Sequence, residues 1–311
     1  SSRGPVSPFY IKPEIVAPGT YINTTQSNAG YNFTSGTSYA APHVSGAAAL
    51  LLQNNPELHH HEIKSILLTT VEPVSDAYGQ KFSIHEAGAG RLNIAKAYQA
   101  KLIIMPPNFV VSVSSDNPIA EKEFELKSID GTLDEIDVNF EGPEFIKFAH
   151  IIEGNILKIK MSLTEEKFGD HEGRIIISHQ GIDYTVPFLL HYTPGSITVT
   201  QQDNKLFFEI FHPEQWSFAK ISITNSEDGS IDTTTATPYK PASIEVFENA
   251  EYWVDAKIKT NENTTDAFST IQISSLQEDT ERLDIDIPQR QIGIILVAVV
   301  IIAIVGFVKR R

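Results

Sequence analysis

The chain has 311 residues, 41% hydrophobic and 20% charged, with a formal net charge of −15 and no cysteine. That balance belongs to a folded protein long enough for two or three domains and excludes a disordered chain. The acidity argues against a phosphate-binding surface, so no nucleic acid is expected as a partner, and the missing cysteines exclude disulfides, thiolate metal sites and a cysteine nucleophile.

Residues 1–100 read as mixed α/β. Gly36-Thr37-Ser38 supplies start signals for a helix carried by the Ala- and Leu-rich residues 39–54. Pro42 is expected in or near its first turn, where a missing N–H is tolerated. The small and apolar residues of 40–52 predict a helix buried on most sides. A second helix is expected over 57–70, with Pro56 at its start and Ile63, Ile66 and Leu67 on one face. Gly88-Ala89-Gly90 reads as a tight turn, and a short helix follows over 93–100.

From residue 102 the pattern changes to short β-rich runs at 109–113, 123–126, 136–140, 145–149, 156–161, 174–178 and 184–190. Many alternate apolar with polar, with Gly, Asp, Asn and Pro between them. Seven such strands predict an immunoglobulin-like or fibronectin-like sandwich over 101–195. Tyr192-Thr193-Pro194-Gly195 reads as a linker. A second β-rich domain is expected over 196–285, with strands near 197–200, 206–211, 218–223, 244–247, 252–258 and 269–273, and then a juxtamembrane linker at 286–291. Residues 292–308 (IGIILVAVVIIAIVGFV) carry no charge. As a helix they span roughly 26 Å, near the short end of what crosses a bilayer core. Lys309-Arg310-Arg311 follows at once as a basic tail expected on the cytoplasmic side, which leaves the rest of the chain outside. The chain is thus expected to meet a lipid bilayer through residues 292–308 and to sit in the cell membrane as a single-pass protein.

The chemistry concentrates in Ser35 to Gly46, SGTSYAAPHVSG. A serine hydroxyl is a weak nucleophile and needs a neighbouring base. At a helix start, the Ser38 side chain is held rigidly at the positive end of the helix dipole, and its backbone N–H can serve an oxyanion. The run resembles the nucleophile motif of the subtilisin-like serine proteases, carried here by Gly36, Thr37, Ser38, Pro42 and His43. Two further segments fit the family in order: Ser1-Ser2-Arg3-Gly4-Pro5 with Lys12-Pro13-Glu14-Ile15-Val16-Ala17-Pro18-Gly19 upstream, and Gly88-Ala89-Gly90-Arg91-Leu92-Asn93 downstream.

The resemblance implies an α/β subtilisin-like catalytic domain, C-terminal portion only, over residues 1–100. All-β immunoglobulin- or fibronectin-like sandwich domains and a single transmembrane helix are expected to follow. It further implies a serine endopeptidase acting on polypeptide substrates through an acyl-enzyme on Ser38. In the family the order is Asp, His, Ser, so the triad Asp and His and the oxyanion Asn are expected upstream of residue 1. With no initiator Met and no signal segment, the chain is expected to be a fragment of a longer protease, inactive alone. Calcium is implied by the family only; no loop with calcium-ligand spacing stands out, and no metal site is expected.

Other residues read more plainly. His43 follows Ser38 by about a turn and a half and is expected to point elsewhere as a structural residue. His59-His60-His61 sit at adjacent positions that should fan out around a helix axis, which predicts a solvated helix start and no metal site. His85 has no partner identifiable from sequence. Asn23, Asn32 and Asn263 head Asn-x-Thr triplets and are candidate glycosylation acceptors. Two alternatives to the endopeptidase are a catalytically inactive, membrane-anchored adhesion or binding protein on a protease-like scaffold, and a sedolisin-type acid peptidase.

Overall fold

The computed structural model describes residues 4, 10–27, 29–133, 135–246 and 249–273. The expected membrane segment 292–308, its flanking linker and the basic tail lie outside these residues. Among the described residues no helix is long and apolar enough to cross a membrane.

The N-terminal part holds a hairpin, β1 (Ile22–Thr25) and β2 (Tyr31–Thr34), followed by four helices: α1 (Thr37–Asn54), α2 (His60–Thr69), α3 (Ile84–Ala87) and α4 (Ile94–Tyr98). Helix α1 begins earlier than its apolar run suggests, so Pro42 falls inside it, in the second turn. It is also not buried on most sides: only Ala47 and Leu51 are buried, while Leu50 and Leu52 are exposed. Its partners among the described residues, α2 and α4, touch a single side of it, so the remaining small and apolar residues face outward. Helix α2 does bury Ile63, Ile66 and Leu67, together with Ser65, Leu68 and Thr69. Ser65 is tied into the fold by its hydroxyl, which donates to the Ile104 carbonyl at 2.7 Å. Helix α3 has no counterpart in the sequence reading, because four residues give no periodicity to detect.

Eight strands follow: β3 (Leu102–Met105), β4 (Phe109–Ser114), β5 (Ile119–Ser128), β6 (Asp137–Glu141), β7 (Ile146–Glu153), β8 (Ile156–Leu163), β9 (Gly169–His179) and β10 (Ile182–Thr193). They form two four-stranded sheets, ordered β3-β5-β8-β7 and β4-β10-β9-β6. The seven expected strands are all present and mostly longer. The additional one is β3, whose uninterrupted Leu-Ile-Ile-Met lacks alternation because Leu102, Ile103 and Ile104 are all fully buried. Pro106 and Pro107 cannot continue a ladder, and there the chain crosses from β3 in one sheet to β4 at the edge of the other. Phe109, Phe124, Leu126, Leu157, Ile159, Tyr184, Val186 and Phe188 share one core between the sheets. In β10 the alternation is lost, because Leu189 on its outer side is covered by Ile11 and Ile84 of the N-terminal part.

The last strands are β11 (Ser196–Gln202), β12 (Lys205–Phe211), β13 (Trp216–Asn225), β14 (Ile231–Ala236), β15 (Ala242–Glu245), β16 (Glu251–Thr260) and β17 (Thr264–Gln272). They are ordered β11-β12-β15 and β14-β13-β16-β17. Here Ile221, Ile223, Val254, Ala256 and Ile258 alternate inward as their sequence suggests. Strand β14 escapes the sequence reading, since Ile-Asp-Thr-Thr-Thr-Ala offers one large apolar residue, and that one is exposed.

The expected linker is corrected. Tyr192 and Thr193 are buried residues of β10, and only Pro194 and Gly195 separate it from β11. The loop after β4 holds this junction: the Ser115 hydroxyl donates to the Pro194 carbonyl at 2.6 Å, and that of Ser196 to the Asp116 carboxylate at 3.1 Å. A linker-like composition of Thr, Pro and Gly therefore marks a fixed corner.

Candidate active site

The hairpin β1–β2 delivers the chain to Ser35 and Gly36, and α1 starts at the next residue. Two hydrogen bonds hold this turn against the preceding loop: the Tyr21 N–H donates to Ser35 Oγ at 3.0 Å and the Gly36 N–H to the Gly19 carbonyl at 2.7 Å. Gly19 must approach closely, since a Cβ there would lie 2.9 Å from the Gly36 carbonyl oxygen and 3.3 Å from Ala40 Cβ. On its other side the same loop is gripped by the glycine turn. The Ala89 N–H donates to the Glu14 carbonyl at 2.9 Å, the Val16 N–H to Gly90 at 3.0 Å and the Leu92 N–H to Val16 at 2.8 Å. Gly88 has φ +59° and no room for a Cβ against the Pro13 and Glu14 carbonyls. Residues 13–19, 36–46 and 88–93, singled out separately in the sequence, thus form one layered unit. Of the opening five residues only Gly4 is described; its N–H donates to the Lys12 carbonyl at 2.6 Å.

Ser38 is the second residue of α1 and is exposed. Its side chain has no hydrogen-bond partner among the described residues, and the first turn holds no acidic residue to offset the positive end of the helix. Its N–H is among the terminal donors that an α-helix leaves without an internal acceptor. Thr37 lines a groove of about 610 Å³ with Ile15, Ala17, Ala40 and Val44. Pro42 lacks the N–H that would bond the Ser38 carbonyl four residues back. The His43 imidazole is turned onto its own helix, Nδ1 lying 2.8 Å from the Tyr39 carbonyl.

Charged partners brace the unit. Glu14 meets Lys64 of α2 at 2.6 Å and Lys12 at 3.1 Å. Burial works to raise its carboxyl pKa, but the hydrogen bonds and charges of the two lysines together hold it below the ordinary value. Glu72 is held low chiefly by the hydrogen bond from Arg91, at 2.5 Å, and Asn93 adds a bond at 2.7 Å.

His59, His60 and His61 are all exposed at the start of α2, as expected of a solvated helix start. His59 lies before α2 and caps it: its N–H donates to the Glu62 carboxylate at 2.8 Å, and its carbonyl accepts the Glu62 N–H at 3.0 Å. The rings therefore do not fan out. His59 and His61 stack at 5.6 Å, and His60 meets His61 edge-on at 5.2 Å. Among the described residues no group of His, Asp or Glu is arranged to hold a metal.

His85 has a partner that sequence could not supply. Its Nε2 is 3.6 Å from Asp170 on β9, and the same carboxylate is hydrogen-bonded to His191 on β10. Beside it, the Ser83 hydroxyl and Ile84 N–H both donate to the Glu172 carboxylate at 2.9 Å. The N-terminal part is thereby seated on the outer face of the β4-β10-β9-β6 sheet. Asn23, Asn32 and Asn263 are all exposed.

The model of the subtilase family, Peptidase_S8, matches residues 1–90. The N-terminal segment is subtilase-like. Among curated relatives, the minor extracellular protease Vpr of Bacillus subtilis is 26% identical over 201 residues, covering 58% of this chain and 25% of that protein. Subtilisin-like protease SBT1.6 of Arabidopsis thaliana is 32% identical over 142 residues, covering 38% of this chain and 18% of the relative. The PII-type proteinase of Lactococcus lactis subsp. cremoris is 32% identical over 141 residues, 40% of this chain and 7% of its own. The chain thus spans a quarter or less of the curated relatives it matches. Its similarity is to serine proteases, and the family match ends where the β-rich region is about to begin.

Proposed function

We propose that the protein is a serine endopeptidase in which Ser38 attacks the scissile carbonyl and forms an acyl-enzyme. The observation that carries this reading is the placement of Ser38: exposed, in the first turn of α1, within a Gly-Thr-Ser turn inside the subtilase-matching segment. In this reading the Ser38 N–H donates to the developing oxyanion, and Gly36 and Thr37 shape the approach to the helix. A histidine base takes the Ser38 proton and returns it to the leaving amine, and water then releases the acyl group. No residue of this chain is assigned to the base, its orienting Asp or the oxyanion Asn; the family order places them before the nucleophile segment. His43 is not assigned as the base: it follows Ser38 by five residues on the same helix, and its Nδ1 lies 2.8 Å from the Tyr39 carbonyl of that helix.

In the same reading residues 292–308 cross the membrane as a single helix, the catalytic part lies outside the cell, and the two sandwiches raise it above the surface. Exposed Asn23, Asn32 and Asn263 are compatible with glycans on that side. Calcium rests on family resemblance alone.

The test is Ser38→Ala in the complete protein. Hydrolysis of peptide substrates should fall by several orders of magnitude with the thermal melt unchanged. Retained turnover, or no labelling of Ser38 by a fluorophosphonate probe in the active protein, overturns the assignment.

A further inference from the structure

A second cleft lies away from Ser38, where the N-terminal part and the two sandwiches meet. It encloses about 410 Å³ and is walled by Tyr10, strand β4, Lys122 of β5, and residues of β16 and β17. That volume is in the range of ligand sites. We propose that it docks an extended polypeptide segment, which adds as a strand along the free edge of β4 and rests its side chains against Tyr10 and Trp253.

The edge is the first argument. Among the described residues strand β4 ends its sheet and is paired with β10 and no other strand. Consecutive residues Val110, Val111 and Ser112 all line the cleft. Successive strand residues face opposite ways, so a cleft lined by three in a row runs along the edge and not over one face. Every second N–H and C=O there points away from β10, toward the cleft. Such an edge is a template for another extended chain.

The opposite wall is aromatic. Tyr10 and Trp253 meet edge-to-face, with centroids 4.7 Å apart and planes at 86°. Trp253 lies on the outer face of its sheet, since its neighbours Tyr252 and Val254 turn inward. Rings of this kind contribute large contact area at low entropic cost.

Charge completes the match. Lys122 makes no ion pair among the described residues, and its ammonium lies 5.9 Å from the centroid of the Phe109 ring. Burial lowers its pKa while the charge of Glu251 works to raise it. With Glu251 on the facing wall, the described residues lining the cleft include one cation and one anion, which suits a neutral chain of amides. A saccharide would use the rings but lacks the regular alternation of N–H and C=O that matches a strand edge; an extended polypeptide offers both.

The role of this cleft in holding substrate rests on the proposed peptide hydrolysis, whereas the binding itself does not. The experiment uses the full chain with Ser38→Ala and, as probe, reduced and carboxymethylated ribonuclease, an unfolded polypeptide. Amide hydrogen exchange should slow about tenfold on binding at those of residues 110–112 whose N–H points away from β10, and Trp253→Ala should weaken the affinity about tenfold. Unchanged exchange at those amides overturns the proposal, even where Ser38-dependent hydrolysis of short peptides stands. Protection of the Trp253 surroundings by maltoheptaose in place of the polypeptide overturns it in favour of a saccharide site. Slowed exchange with the polypeptide supports the cleft even if the Ser38 assignment fails.

Discussion

Helix α1 and strand β10 have comparably apolar sequences and opposite fates. In β10 almost every residue from Tyr184 to Tyr192 is buried, because the opposing sheet covers one side and Ile11 and Ile84 cover the other. In α1, which carries Ser38, burial stops at Ala47 and Leu51, and Leu50 remains 45% exposed. Hydrophobicity alone therefore does not say what is core; a second surface has to be present to cover it. The sandwiches supply that surface from their own paired sheets. Among the described residues the N-terminal part obtains it on one side only, where α2 packs on β3 and β10 and the α3 segment is seated on β9 and β10.

This contrast can be broken by measurement. The largest effect is expected at Phe188, which is 1% exposed between Phe140 and the rest of the sandwich core. Phe188→Ala should destabilise the first sandwich by about 3–5 kcal/mol in denaturant unfolding. A cost under about 1 kcal/mol would show that the two sheets do not share one packed core. Next comes the corner between the sandwiches. A Cβ at Gly195 would lie 2.8 Å from Ile258 Cδ1 and 2.9 Å from both His212 Cδ2 and the Phe211 carbonyl oxygen. Gly195→Ala should cost about 1–3 kcal/mol by overpacking. An unchanged melt would mean that the junction yields like a linker.

Smaller still is the polar seat of the N-terminal part. The Asp170 carboxyl is held below its ordinary pKa, first by the His191 hydrogen bond and then, against a burial effect that raises it, by the charges of His191, His85 and His171. A depressed carboxylate stabilises the fold fully above its unfolded-state pKa, and that contribution fades as pH falls through the lower native value. Asp170→Asn should therefore cost about 1 kcal/mol near neutral pH. The gap in thermal midpoint between it and the parent should close in strong acid. A gap that persists unchanged at low pH would remove charge from the account. The smallest effect is expected on α1 itself. Leu50→Ala should change stability by no more than about 0.5 kcal/mol. A loss of about 2 kcal/mol or more would mean that residues other than those described cover the helix.

Local chemistry made much of this protein legible before any coordinates. Alternating runs located most of the strands because one face of each is buried and the other is not, and residue type located the caps and turns around Gly36 and Gly88. The Gly-Thr-Ser run with its two flanking segments marked Ser38 through residue identity, independently of packing. Where periodicity was absent the reading failed: β3 because both its faces are covered, β14 because it is polar, α3 because it is one turn long. Contacts between residues far apart in sequence were decided only in three dimensions. These include the pairing of His85 with Asp170, the bonds of Ser115 and Asp116 that hold the corner at Pro194 and Gly195, and the place of β4 at the edge of its sheet. Each depends on which surface lies opposite a side chain or a backbone edge, and no stretch of sequence carries that information by itself. The same holds for Ser38. Its identity, and the helix start that carries it, were written in the sequence; its exposure among the described residues depends on which other elements pack at that helix end, and only the tertiary structure decides that.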